Sequence, residues 1–538
     1  VWSRREVNER AVAVLAEQAC LSPVMARLLW LRGVRDERAV ECWLRPSVEH
    51  LHPPELLPDF DRAVARIEQA VARQEQILLW GHDDLDGITS VVILHRLLAD
   101  LRARVGYHIP TRGREKHGLN AAVVRAQPGA GLVVTVDCGI TNRDDVEQLR
   151  EAGVDVLITD HHEVPDQMPR AVANVDAKRP DSHYPYRGLA SAGLALKLGM
   201  GLVQRRLGLG AGEFLSVQPE LLALAVLGTI ADRVPLTGEN RTLVGVGLAR
   251  LQNTGLPAVR AVLDRLTGSQ QLSVGRFLTE LLPLFAAASG NDAVARILSS
   301  TQEEAEAWVD TLEAESRIWR EEAERTLELA ARQVVLGDGI LFVRSRELSL
   351  RALGFCAAKL KDRYQVPAVV MGWRGDAWVG ECRGMESVSL LDLMNACAGC
   401  FLDFGGHKKA AGFTITDERV EEFVRQAEEY AHRNFAGRIQ PENLVMVDAV
   451  LPLVQFDAGL VALGPFGDGN PAPVLESGPA TFSQHGDVLR PEGRRELTLK
   501  AMRGALMVEP EGQWNVLYTM DDTGALTALD ARPVLPLG

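Results

Sequence analysis

The sequence predicts an α/β protein in which two α/β domains, the first built on a parallel sheet, are joined by a long helix and followed by a small C-terminal β-barrel. Three observations predict it. Between residues 75 and 160, short apolar runs alternate with amphipathic stretches of helical period, the pattern of βαβ units. Residues 302–335 are dense in Glu and Arg yet carry one apolar stripe. From Pro441 the chain is rich in short strand-like runs.

Taken in order, residues 5–48 read as helices, with Val7, Ala11, Val14 and Leu15 at helical spacing and SPVMARLLWLRG continuing the pattern. Pro53, Pro54 and Pro58 break it, and residues 61–74 form another amphipathic helix. The strands then expected are ILLW (77–80), RVGYHI (104–109), LVVTV (132–136) and VDVLIT (154–159), and one more apolar run follows at 221–236. In the long helix, Ala305, Trp308, Leu312, Trp319, Ala323, Leu327, Ala330 and Val334 trace one face. At 1.5 Å per residue it would reach roughly 50 Å, suited to connecting domains. The strands GILFV, PAVVMGW and AWVGEC mark the second α/β domain. The boundaries fall at 1–60 (helical segment), 61–245 (first α/β domain), 246–335 (helical region with the connector), 336–436 (second α/β domain) and 437–538 (barrel).

A chain of 538 residues exceeds one core. With 46% apolar and 24% charged residues it reads as globular, and no run is long enough to span a bilayer. The charged N-terminus does not read as a secretory signal. Seven scattered cysteines fit a reducing cytoplasm better than a disulfide framework. The net charge of −14 argues against a broadly basic, phosphate-binding surface, so any basic surface must be local.

Four segments carry the chemistry: GHDDLDGITS (81–90), VTVDCGIT (134–141), ITDHHEVP (158–165) and GTIADRVPL (228–236). Each sets Asp, or Asp with His, at or just beyond the end of an apolar run. In open parallel sheets, sites form at the carboxyl ends of strands, so folding should gather these residues at one edge. Each piece alone has a plainer reading, since a lone Asp after a strand is more often a helix N-cap. All four in order point to a metal site. Carboxylates and imidazoles with few thiols suit Mn²⁺ or Mg²⁺ better than structural zinc.

In this order the four segments resemble the motifs of the DHH phosphoesterase superfamily, and the layout resembles its RecJ-type single-strand-specific exonucleases. The resemblance implies two divalent ions. His82 and Asp84 would hold one, Asp86, His161 and Asp232 the other, and Asp137 would bridge them. Asp160 would orient His161 from behind, and His162 would face the substrate phosphate. CFLDFGGHKKAAGFTI (400–415) resembles the signature of the DHH-associated domain, so Gly405, Gly406 and His407 would approach a phosphate. LGPFGDGNPAPV (463–474) resembles a RecJ motif leading into an oligonucleotide-binding (OB-type) barrel. The function implied is 5′→3′ hydrolysis of single-stranded DNA in repair and recombination, by a monomer that a single-strand-binding protein or a helicase could recruit.

The sequence departs from that pattern in the second half. The strand GECRG keeps Arg383, but Glu381 stands where the pattern has a serine, and a carboxylate there should weaken phosphate binding. PLFAAASG (283–290) lacks two expected arginines. These losses and the acidic balance keep two alternatives open: a phosphodiesterase on short oligonucleotides or cyclic dinucleotides, and a largely non-catalytic single-strand-binding partner in replication or repair. Arg112, Arg114 and Lys116 (TRGREKHG) are further candidates for a nucleic-acid path, as is the basic stretch 490–504. The pair Cys397 and Cys400, lying in an apolar run, is expected to be core rather than zinc or redox chemistry. Cys138, next to Asp137, is a candidate for oxidation.

Overall fold

The computed structural model describes residues 2–534 apart from 112–114, 117, 128, 268–271, 286, 289, 386, 407, 436–444, 495, 502–507 and 509–511. The chain divides into two compact units, one of residues 313–445 and one of residues 2–312 with 446–538.

The larger unit is built on a five-stranded, all-parallel sheet. Its order is Arg104–His108, Gln76–Trp80, Ala130–Val136, Asp155–Thr159, Ala173–Val175. The four expected strands are present. The fifth, three residues long, is too short to leave an apolar run. Their interiors (Leu78, Leu79, Val133, Val134, Leu157, Ile158) are buried on both faces, as in a sheet covered by helices on each side. Register aligns their ends, with Trp80 opposite His108 and Thr135, Val136 opposite Thr159, and Thr159 opposite Val175. Whatever follows each strand therefore emerges on one edge. The apolar run at 221–236 is instead a helix, Pro219–Ala231, and every residue from Leu221 to Ile230 is buried. It packs against the helices Leu85–Asp100 and Ser191–Leu207. A helix apolar all round belongs in an interior, and periodicity alone cannot tell it from a buried strand.

The C-terminal strands close a ring. Ala480–His485 pairs Val488–Pro491, which pairs Leu499–Ala501; that strand runs parallel to Leu526–Pro533, whose other edge meets Gln513–Met520, which returns to Ala480–His485. Five strands closed this way form the OB-type barrel. The N-terminal helices do not stand apart from it. Leu15, Leu28, Leu29 and Trp43 share one hydrophobic cluster with Leu451, Phe482, Val516 and Tyr518.

The smaller unit has a six-stranded mixed sheet, in the order Asp403–Gly406, Ala410–Ile415, Trp378–Arg383, Ala368–Trp373, Leu341–Ser345, Val335–Leu336. The long helix runs from Gln302 to Ala331 and ends sooner than expected, because the strand Val335–Leu336 begins almost at once. Its first half places Ala305, Trp308 and Leu312 in the core of the larger unit; its second half places Ala323 and Ala330 in the smaller unit's core. Among the described residues, no single helix is long and apolar enough to cross a membrane.

Candidate metal centre

The strand Gln76–Trp80 exits through Gly81 into His82, Asp83 and Asp84. Asp84 is the N-cap of the helix Leu85–Asp100, its Oδ1 accepting from the Gly87 N–H at 2.9 Å. Gly87 has to be small, since a Cβ there would lie 2.5 Å from the His82 carbonyl oxygen. Asp86 is almost fully buried in the first turn. Its two oxygens accept the N–H groups of Ser191 (2.8 Å) and Ala192 (2.9 Å), opening the helix Ser191–Leu207. A carboxylate at a helix N-terminus meets unpaired donors and the positive end of the dipole. Asp137, directly after Ala130–Val136, holds a left-handed backbone (φ 62°) and donates its N–H to Thr159 O at 3.1 Å. For a non-glycine residue that conformation costs about 1 kcal/mol or more and is typical of functional sites.

These loops bring the predicted residues together. His82 Nδ1 lies 2.9 Å from Asp84 Oδ2 and 3.6 Å from Asp137 Oδ2. His161 Nε2 lies 3.0 Å from Asp137 Oδ1 and 4.0 Å from Asp86 Oδ2, and its Nδ1 is 3.7 Å from Asp232 Oδ2. Asp232 comes from a helix end rather than a strand end, as the C-cap of Pro219–Ala231. Three groups, His82–Asp84–Asp137, Asp86–His161–Asp232 and Asp137–His161–His162, each offer ligand atoms within 4.8 Å of one another.

The charges fit divalent cations. Burial, together with the charges of Asp137 and Asp84, pushes the Asp86 carboxyl well above the usual range. Burial and the charges of Asp86, Asp137 and Asp84 do the same to Asp232. Carboxylates crowded out of water oppose one another's ionisation until a cation offsets them. The donor set, oxygens and imidazole nitrogens, is the one Mn²⁺ and Mg²⁺ accept.

Asp160 differs from expectation in its partner. Its Oδ1 takes Nδ1 of His162 at 2.7 Å and the backbone N–H groups of His161 (2.8 Å) and His162 (3.2 Å), while Oδ2 accepts from Ile140 N–H at 3.0 Å. It therefore orients the ring of His162 and ties the two loops together. Burial alone would lower the His162 pKa, but the Asp160 charge and hydrogen bond raise it to about 9.

The remaining expectations are spread more widely. In the smaller unit, Arg383 donates to Glu381 Oε2 (3.0 Å) and Cys382 O (2.8 Å), so its charge is already matched by the unexpected carboxylate. Gly405 and Gly406 lie exposed in an edge strand, and Gly406 has φ 144°. Arg112, Arg114 and His407 lie outside the described residues. Lys116 bonds Asp145 at 2.8 Å. Cys397 and Cys400 are buried in the core, and burial pushes the Cys397 thiol up to about 12. Cys138 is buried too, and burial beside Asp160 and Asp137 raises its thiol well above the ordinary value, which disfavours the reactive thiolate. Two acids were missed. Asp83 Oδ1 accepts from Gly290 N–H at 3.1 Å. Asp176 is fully buried just past the short strand Ala173–Val175, which is too short to leave the apolar run that marked the other segments.

Comparison with known proteins agrees with this geometry. Residues 76–229 match the DHH family N-terminal domain and residues 337–433 the DHHA1 domain. The single-stranded-DNA-specific exonuclease RecJ of Dickeya dadantii is 30% identical over 504 residues, covering 88% of this chain and 86% of that protein. The RecJ of Bacillus subtilis is 30% identical over 488 residues, and the chain spans 61% of that protein's length. The crystal structure of RecJ in complex with Mn²⁺ from Thermus thermophilus is similar with a TM-score of 0.81 at 26% identity, covering all of this chain and 80% of that one. The chain belongs to the RecJ family.

Proposed function

We propose that this chain is a divalent-metal-dependent phosphodiesterase that removes nucleotides from single-stranded DNA, working 5′→3′. His82 and Asp84 would hold one ion, Asp86, His161 and Asp232 the other, and Asp137 would serve both. The observation that carries the reading is the meeting of these six side chains, from four distant segments, in two groups of three, each with its ligand atoms within 4.8 Å of one another. A pair of divalent ions in such a set polarises phosphoryl oxygens and makes a bound water more acidic. His162, held by Asp160, supplies a hydrogen bond to the phosphoryl group or the leaving oxygen. The barrel in the same unit offers a surface for the strand. Recruitment by a single-strand-binding protein or helicase and a monomeric state belong to the same reading.

The test incubates the protein with Mn²⁺ and strands labelled at either end. Stepwise release of mononucleotides, beginning from the 5′ label, is expected. EDTA should abolish it, and Asp137→Ala should reduce it by more than about 100-fold. Activity unchanged by Asp137→Ala would overturn the metal assignment. One observation favours the alternative of short oligonucleotides or cyclic dinucleotides: Glu381 already occupies Arg383, a candidate grip on a phosphate. Turnover confined to dinucleotides and cyclic dinucleotides in the same assay would select it.

A further inference from the structure

Asp232 sits in a short turn between two helices, Pro219–Ala231 and Gly238–Gln252. The turn is held by residues more than two hundred positions away. Leu236 N–H donates to the backbone oxygen of Asp468 at 2.6 Å. Arg233, left-handed at φ 60°, puts its Nε 3.1 Å from the Asp468 carboxylate. Gly467 and Gly469 let that segment lie flat against the turn: a Cβ on Gly467 would come within 2.8 Å of Leu236 Cδ1, and one on Gly469 within 2.7 Å of Pro235 Cβ.

The segment that grips the turn is itself fixed. Asn470 is fully buried; its amide nitrogen donates to Leu463 O (2.9 Å) and Pro465 O (2.8 Å), and its oxygen accepts from Arg32 Nε at 2.7 Å. Phe466 N–H donates to the Asp522 carboxylate at 2.6 Å. Arg241, in the helix just after the turn, donates to the carbonyls of Ala462, Leu463 and Gly464. So this loop, leading into the barrel, braces the turn that follows Asp232.

The geometry points to Asp468 as a positioning residue for Asp232, which makes the loop 463–470 part of the support of the ion site formed by Asp86, His161 and Asp232. This inference rests on the metal reading above. An exposed ion pair adds little stability. Its consequence here is placement, because a ligand's supporting contacts set how well it meets its ion.

Calorimetric titration of the full chain with Mn²⁺ tests it. The wild type should bind two ions; binding of none would sink the metal reading itself, independently of this one. Asp468→Ala should weaken one of the two ions by about tenfold and leave the other within twofold, with melting temperature and metal-free strand binding in EDTA unchanged. Asp468→Asn, whose amide oxygen can still accept from Arg233, should recover most of the loss. Arg233→Ala should reproduce it, and the double variant should add nothing, since both remove one contact. Gly469→Ala, which drives a methyl against Pro235, should weaken the same ion from the backbone side. Two ions bound with wild-type affinity in Asp468→Ala and Arg233→Ala would overturn the inference, as would equal weakening of both ions accompanied by a lower melting temperature.

Discussion

Asp176 shows how the residue scale departs from sequence expectation. Its side chain is fully buried, Oδ1 accepts from Lys178 N–H at 2.7 Å, and Oδ2 has no hydrogen-bond partner among the described residues. Burial, reinforced by the charge of Asp160, raises its pKa from 3.8 to about 7. An acid with a raised folded pKa holds its proton more tightly folded than unfolded, so it favours folding at low pH. That advantage is lost as pH rises from 3.8 through about 7. Asp176→Asn should therefore stabilise the metal-free protein at pH 8 by up to about 4 kcal/mol, and by less at pH 5. Urea unfolding at the two pH values checks this, and an equal effect at both would count against it. The six Asp and His side chains that meet here were legible because each lies beside an apolar run. Asp83 was not, because its partner Gly290 is far along the chain, and Asp176 was not, because its burial follows a strand too short to leave an apolar run.

At the scale of elements, the site depends on how closely three helices approach one another. Gly228, in the helix ending at Asp232, has no room for a side chain: a Cβ would lie 2.6 Å from Ala192 Cβ and 2.7 Å from Asp86 Oδ1. Gly228→Ala should destabilise the protein by about 1–3 kcal/mol through overpacking. It should also displace the Asp86 carboxylate and weaken Mn²⁺ binding. Denaturant melts and Mn²⁺ titration measure the two effects, and an unchanged affinity in a well-folded variant would refute the second. Strand positions were readable from short apolar runs, and the connector helix from its stripe. The helix Pro219–Ala231 was not assignable, because its even apolarity carries no period.

At the scale of the whole molecule, sequence-distant segments meet in single cores. Arg241 is nearly buried and stacks on Trp43 at 4.3 Å. It donates to the carbonyls of Trp43 (2.9 Å), Ala462 (3.0 Å), Leu463 (3.0 Å) and Gly464 (2.6 Å). One guanidinium thus joins the N-terminal helices, the parallel-sheet region and the loop into the barrel. Arg241→Ala leaves those carbonyls buried without donors, which should cost at least about 3 kcal/mol. It should also separate the melting of the barrel from that of the sheet. Scanning calorimetry resolves whether one transition becomes two; a single unshifted transition would contradict the role given to Arg241.

The sequence by itself determined the chemistry-bearing residues and their order, since these are local patterns: an apolar run, a turn, an Asp or His. It also determined the α/β class and the resemblance to RecJ-type enzymes. Tertiary structure alone decided that Asp160 orients His162, that Glu381 pairs with Arg383, and that the N-terminal helices share a core with the barrel. It alone decided that the loop 463–470 packs against the turn after Asp232. The last two depend on contacts between distant segments; the first two join residues two positions apart, whose rotamers are fixed only when packing sets their surroundings.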